Sequence, residues 1–88
     1  MTQSQKDTLK NALYNFKNTD SKWDEVVRNA LVKFAFEREE QIIKMFFFER
    51  KARYNICREL QIKKRQFYYY INRIYDMLYL WAVELKAF

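Results

Sequence analysis

Residues Arg53 to Asn72 read RYNICRELQIKKRQFYYYIN, and the spacing of apolar residues in this stretch indicates how the chain folds. Its apolar positions form two groups joined by a single residue: Ile56, Cys57 and Leu60, then Ile62, then Phe67 and Tyr70. A helix-turn-helix unit has this pattern because its first helix buries a large and a small residue where the second helix crosses it, while the turn contributes one apolar residue to the core. The sequence therefore predicts a helix-turn-helix at about residues 53–73, with its turn at 61–63.

The same spacing predicts which side chains are buried. We expect Ile56, Leu60, Ile62, Phe67 and Ile71 to lie in the core, with Tyr70 beside them and Cys57 as a small buried hydrophobe. On this interpretation, replacing Leu60 by Ala costs about 2–5 kcal/mol of stability.

The second helix of this unit leaves polar, basic and aromatic side chains outside, and these predict DNA binding. Between Arg50 and Arg73 there are eight basic residues against Glu59 alone, a net charge of +7 within a chain whose total is +6. The whole positive excess therefore lies on this unit, as neutralisation of DNA phosphates requires. The predicted DNA-binding residues are Lys63, Lys64, Arg65, Gln66, Tyr68, Tyr69, Asn72 and Arg73, and the predicted phosphate contacts are Arg50, Lys51, Arg53, Tyr54 and Arg58.

The block from Glu37 to Leu78, EREEQIIKMFFFERKARYNICRELQIKKRQFYYYINRIYDML, resembles the fourth region of bacterial sigma factors. It is still more similar to the small phage late transcriptional regulators of the ArpU and RinA type, which share an "I-C-x-x-L-x-I" helix and a basic recognition helix with spaced aromatics. The resemblance implies a sequence-specific DNA-binding regulator of phage or mobile-element genes in Gram-positive bacteria, with residues 64–73 in the major groove of promoter DNA and RNA polymerase as a further partner.

Two positions depart from that pattern. Gln61 stands where such units commonly carry Gly, and a residue other than Gly is strained at positive φ, so we expect a wider turn. Lys63 and Lys64 stand where Ser is common, which predicts a weak N-cap and places positive charge at the positive end of the helix dipole.

Outside this unit, helical periodicity extends over the rest of the chain, and no strand pattern occurs. We expect a first helix at about residues 4–17 and a second that begins after Ser21, whose spacing to Asp24 resembles a capping box. Residues 22–48 fit one helix or two, and a change of apolar stripe favours two, joined near 36–38. A short helix follows at 54–60. The predicted fold is a single all-α domain, a small bundle of four to five helices with a long C-terminal helix at about 64–87.

The C-terminal helix carries a seven-residue apolar repeat that continues beyond the helix-turn-helix. An isolated helix cannot bury such a stripe, so it needs either a second copy of the chain or the N-terminal helix with its own apolar residues. The sequence favours a homodimer, with the interface at Leu78, Trp81, Leu85 and Phe88. The alternative is intramolecular packing against Leu9, Leu13 and Phe16.

Two aromatic triplets, residues 46–48 and 68–70, have members that cannot all face one core, because neighbours on an α-helix differ by about 100°. We therefore expect some of these rings to be exposed. Exposed rings also favour an alternative function, a protein-binding modulator of RNA polymerase or of another phage transcription regulator.

The residues absent from the sequence exclude several chemistries. There is no Gly, Pro or His, so glycine-rich phosphate loops, histidine acid–base catalysis and histidine-bound zinc are excluded. The lone Cys57 cannot form an intramolecular disulfide or a multi-thiolate metal site. We expect no enzyme activity, cofactor or metal. No stretch has the apolar length of a signal peptide core or a membrane span, so we expect a cytoplasmic protein without a membrane partner.

Overall fold

Five α-helices and no strands make up the computed structural model, which describes all 88 residues, Met1–Phe88. The elements are α1 (Gln3–Tyr14), α2 (Lys22–Lys33), α3 (Arg38–Ile42), which continues into a π-helical segment (Ile43–Phe48), α4 (Arg53–Leu60) and α5 (Lys64–Glu84). The predicted all-α helical bundle is confirmed. None of these helices combines the length and the apolar character that crossing a membrane requires.

Helix α5 is the central element, and α1, α2, α3 and α4 all pack against it. Because neighbours lie on several sides, its buried face is broader than the single heptad stripe seen in the sequence. Tyr75 and Ala82 are buried beside the expected positions. The buried residues of α5 are Phe67, Ile71, Ile74, Tyr75, Leu78 and Ala82.

A sharp corner separates α2 from α3, so residues 22–48 do not form one helix. Phe36 adopts the left-handed conformation with φ 66°, and Glu37 then has the extended backbone of an N-cap. The break lies where the change of apolar stripe indicates it. At the other end of α2, the Ser21 hydroxyl accepts a hydrogen bond from the Asp24 N–H at 3.2 Å, as the capping pattern predicts.

The π-helical segment explains how three consecutive phenylalanines are accommodated. Its backbone bonds span five residues instead of four, as between the Glu49 N–H and the Lys44 carbonyl at 2.8 Å, and this wider turn rotates successive side chains through a smaller angle. The expectation that some rings of the two aromatic triplets are exposed is confirmed by Tyr68 and Tyr69 but does not hold for the phenylalanines: Phe47 is buried and the other two are half-buried. Phe46 packs against Phe67 of α5 with ring centroids 5.3 Å apart, Phe47 against Tyr14 at the end of α1 at 5.3 Å, and Phe48 against Phe16 just beyond α1 at 5.4 Å.

Most of the C-terminal stripe is covered within the chain, although Phe88 stays 43% exposed. Leu78 is fully buried, and Trp81 and Leu85 are half-buried against the core. Helix α5 ends at Glu84, three residues earlier than expected, and the chain then turns through Lys86 at φ 58°. Phe88 thereby packs edge-on against Trp23 of α2, with ring centroids 5.2 Å apart. Packing within the chain, by α2 as well as α1, therefore covers most of the stripe, and the homodimer stays a prediction.

Candidate nucleic-acid interface

Helices α4 and α5 are joined by a three-residue turn, Gln61, Ile62 and Lys63, at the place where the sequence predicts a helix-turn-helix. Gln61 has φ 54° and ψ 45°, a left-handed conformation that glycine adopts with less strain. The Ile62 N–H donates to the Cys57 carbonyl at 3.0 Å, and the Gln61 N–H donates to the Arg58 carbonyl at 3.3 Å. These two bonds define a Schellman motif. The turn is therefore of ordinary width, and the expectation of a wider turn is wrong.

The predicted core of this unit is confirmed in part. Ile56, Phe67 and Ile71 are buried. Helix α4 buries only Ile56 completely. The other predicted core residues are half-buried and pack against the same core: Cys57, Leu60, Ile62 and Tyr70.

The start of α5 presents a cluster of exposed cations. Lys63, Lys64 and Arg65 are exposed, and their side chains form no ion pair. The Lys63 side chain does not cap the helix, as expected. Instead, the Lys63 backbone N–H donates a hydrogen bond to the side-chain amide oxygen of Gln66 at 2.8 Å. Gln66, a predicted DNA contact, therefore uses its oxygen within the helix-turn-helix to satisfy one of the free N–H groups of the first turn.

Each of the three exposed tyrosines of α4 and α5 is paired with an arginine. Tyr54, Tyr68 and Tyr69 are the exposed aromatic residues of this unit, whereas Tyr70 turns inward. Cation–π contacts of this kind hold a guanidinium in place while leaving its N–H groups able to donate. The distances from guanidinium carbon to ring centroid are 5.5 Å for Arg53 and Tyr68, 5.4 Å for Arg58 and Tyr54, and 5.9 Å for Arg73 and Tyr69.

Two of the predicted DNA contacts are instead neutralised by carboxylates. The Lys51 ammonium lies 3.3 Å from a Glu59 oxygen and 3.5 Å from a Glu49 oxygen, and its pKa is raised, first by the hydrogen bond to Glu59. Arg73 Nε lies 3.2 Å from Glu39 Oε2, and its pKa is raised by the hydrogen bond with Tyr69 and by the charge of Glu39. These charges are already balanced within the chain, so counting basic residues overstates the cations available to a ligand.

Arg50 packs against α1. Its backbone is left-handed, with φ 57°, and its guanidinium packs over the ring of Tyr14 at 5.0 Å. The structure joins the two helices through Arg53 of α4 and Tyr68 of α5, pairs Arg58 with Tyr54 within α4, and places Arg50 against α1. The other predicted residues of the second helix are exposed along α5 or at its N-cap: Lys63, Lys64, Arg65, Tyr69 and Asn72.

Sequence reasoning missed the contribution of α3 to this site. The Arg38 guanidinium donates to the Leu60 carbonyl at 3.3 Å, and Glu39 pairs with Arg73. In the sequence, only the charged run Glu-Arg-Glu-Glu at residues 37–40 indicates that α3 could form ion pairs or hydrogen bonds. The tertiary structure is needed to show which residues these side chains contact.

Comparison of this chain with family models, curated proteins and solved structures finds no match. The resemblance of residues 37–78 to the fourth region of sigma factors therefore stays a prediction.

Proposed function

We propose that this protein binds double-stranded DNA and regulates transcription, with the N-terminal half of α5 in the major groove. The observation that carries the proposal is the cluster of unpaired, exposed cations Lys63, Lys64 and Arg65 at the start of the second helix of a helix-turn-helix. In such units the first turns of the second helix face the bases, and phosphate contacts set its register.

The exposed residues of α5 include side chains suited to reading bases. Arg65, Tyr69 and Asn72 follow one another at spacings of four and three residues, so they lie on one outward line of the helix. Arg pairs with guanine and Asn with adenine through two hydrogen bonds each in the major groove. We expect Arg53 and Arg58 on α4, whose guanidinium groups lie over tyrosine rings, to contact phosphates.

The regulatory part of the proposal rests on the resemblance to sigma region four and to ArpU- and RinA-type regulators. On this proposal, the protein is a sequence-specific regulator of phage or mobile-element genes. It works in the cytoplasm and contacts RNA polymerase as well as promoter DNA.

The test is duplex DNA binding by fluorescence anisotropy across a salt series, with the triple variant Lys63→Ala, Lys64→Ala, Arg65→Ala. The matched control is Lys10→Ala, Lys22→Ala, Lys33→Ala, which removes the same charge from exposed positions of α1 and α2. We expect the first variant to bind much more weakly and to flatten the slope of log K against log salt by roughly 0.9 for each phosphate that is no longer neutralised. Equal weakening in the two variants would show that binding is not localised to α5.

A second candidate function, a protein-binding module, is favoured by apolar side chains exposed on the second half of α5. Leu80 is 60% exposed and Val83 51%, and Phe36 projects from the α2–α3 corner. Such residues suit a partner protein: RNA polymerase, another regulator, or a second copy of this chain in a homodimer. Light scattering of the wild type and of Leu80→Ser with Val83→Ser separates the homodimer from the other partners.

A further inference from the structure

Two neighbouring residues of α3 contact both helices of the helix-turn-helix. Arg38 donates to the carbonyl of Leu60, the last residue of α4, at 3.3 Å. Glu39 pairs with Arg73, in the third turn of α5, at 3.2 Å. Because the first contact holds the end of α4 and the second holds α5 beyond the turn, α3 spans the joint between the two helices.

Glu39 depends on this contact. It is only 3% exposed, and Arg73 is the one residue whose side chain pairs with its carboxylate. Removing the partner of a buried carboxylate strongly destabilises the folded protein, because an uncompensated charge stays buried. Arg73 is half-exposed and also lies over the Tyr69 ring, so its guanidinium is held from two directions.

We propose that Arg38 and Glu39 form a brace that sets the angle of α5 relative to α4, and that Arg73 is a positioning residue and not a DNA ligand. The effect on DNA rests on the proposed function, whereas the brace itself is a property of the free protein. Fixing this angle determines whether the residues on α4 and those on α5 reach the same duplex together.

The brace and simple electrostatics predict opposite effects for the removal of the Glu39 charge. If Arg73 were a DNA ligand held back by Glu39, removing the negative charge would release it and strengthen binding to phosphates. If Glu39 is part of a brace, removing its charge loosens α5 and weakens binding.

The experiment compares DNA affinity for Glu39→Gln, Glu39→Asp and the control Glu40→Gln. Glu40 is the adjacent acid: it pairs with Lys44 at 3.9 Å and accepts a hydrogen bond from the Phe36 N–H at 3.3 Å. The amide oxygen of Gln can keep the second bond, so this variant removes the same charge without touching the brace. Glu39→Asp keeps the charge but shortens the side chain by one methylene. We expect both Glu39 variants to bind DNA roughly tenfold more weakly. The control should bind as well as the wild type or slightly better.

A salt series on Arg73→Gln separates positioning from direct contact. We expect weaker binding with an unchanged slope of log K against log salt, because the same number of phosphates is still neutralised. In Lys64→Ala the slope should fall by roughly 0.9. Unchanged or tighter binding by Glu39→Gln, or a flattened slope in Arg73→Gln, would overturn the proposal.

Hydrogen exchange on the free protein tests the brace without DNA. If the wild type binds no duplex, that result refutes the proposed function alone, and the exchange measurement still tests the brace. The amides of Gln61 and Ile62, bonded to carbonyls at the end of α4, should exchange faster in Glu39→Asp than in Glu40→Gln. Equal exchange in the two variants would refute the brace.

Discussion

The guanidinium of Arg53 lies over the ring of Tyr68, 5.5 Å from its centroid, and donates a hydrogen bond to the tyrosine hydroxyl at 2.5 Å. Arg53 is the first residue of α4, and Tyr68 lies in the second turn of α5. This pair therefore links the two helices at the surface, on the side where α4 begins.

Replacing Tyr68 by Ala removes both the stacking and the hydrogen bond, and we expect it to lower the free energy of unfolding by about 0.5–1 kcal/mol. Tyr68→Phe keeps the ring and should cost less than half of that. Urea unfolding of both variants measures the difference. Equal destabilisation by the two substitutions would mean that the hydroxyl, and not the ring, holds Arg53.

The burial of α4 predicts unequal effects for its two aliphatic residues. Ile56 is fully buried, so Ile56→Ala should cost about 2–5 kcal/mol. Leu60 is half-buried, so Leu60→Ala should cost about half as much, less than the apolar spacing alone predicts. Thermal and urea unfolding give both values, and a larger cost for Leu60 would show that the faces of α4 are assigned wrongly.

The left-handed backbone of Gln61 predicts a stabilising substitution. Gln61→Gly removes the steric strain at φ 54° and should raise the free energy of unfolding by about 0.5–1 kcal/mol, because the relief exceeds the entropic cost of glycine. Lys10→Gly, at an exposed interior position of α1, is the control and should lower it by about 1 kcal/mol. A destabilising effect at both positions would contradict the strain argument.

The lowered pKa of the Asp24 carboxyl predicts that the stability of the protein depends on pH. Burial raises the pKa of its carboxyl, but hydrogen bonds from the Thr19 hydroxyl and N–H outweigh this and hold the pKa below its ordinary value of 3.8. The charged form is thus favoured in the folded state, so its contribution is complete above the unfolded pKa and is lost as pH falls through the folded pKa.

Melting curves of the wild type and Asp24→Asn from about pH 7 to pH 2 measure this contribution. We expect the variant to melt at a lower temperature at neutral pH and the two curves to converge in acid. A constant difference at every pH would assign the effect to the geometry of the cap and not to its charge.

Local patterns are enough to predict much of the fold. The cap at Ser21, the break between α2 and α3 and the bounds of α4 depend on neighbouring residues, which the sequence places side by side. The buried positions Phe67, Ile71 and Ile74 follow from helical periodicity in the same way.

Contacts between distant residues cannot be predicted in this way. Nothing local pairs Glu39 with Arg73 across 34 positions, or turns Phe88 back onto Trp23. The sequence therefore predicts a site with too many free cations, because the partners Glu59 of Lys51, Glu39 of Arg73 and Tyr14 of Arg50 lie at no spacing that marks a contact. Only Glu49, two residues before Lys51, is close in sequence.

The π-helical segment makes the chain tolerant of a change in length at one place. Its wide turn holds about one residue more than an α-helical turn, so deleting a single residue within 43–48 would let an uninterrupted α-helix form there. A deletion in a regular α-helix rotates the residues before it by about 100°, but here the lost residue is the one that the wide turn accommodates, so those residues would keep their direction. Glu39 would still face Arg73, so the deletion of one codon in this segment would preserve the contact between α3 and α5, whereas the same deletion within the regular helix α5 would turn its two halves relative to each other.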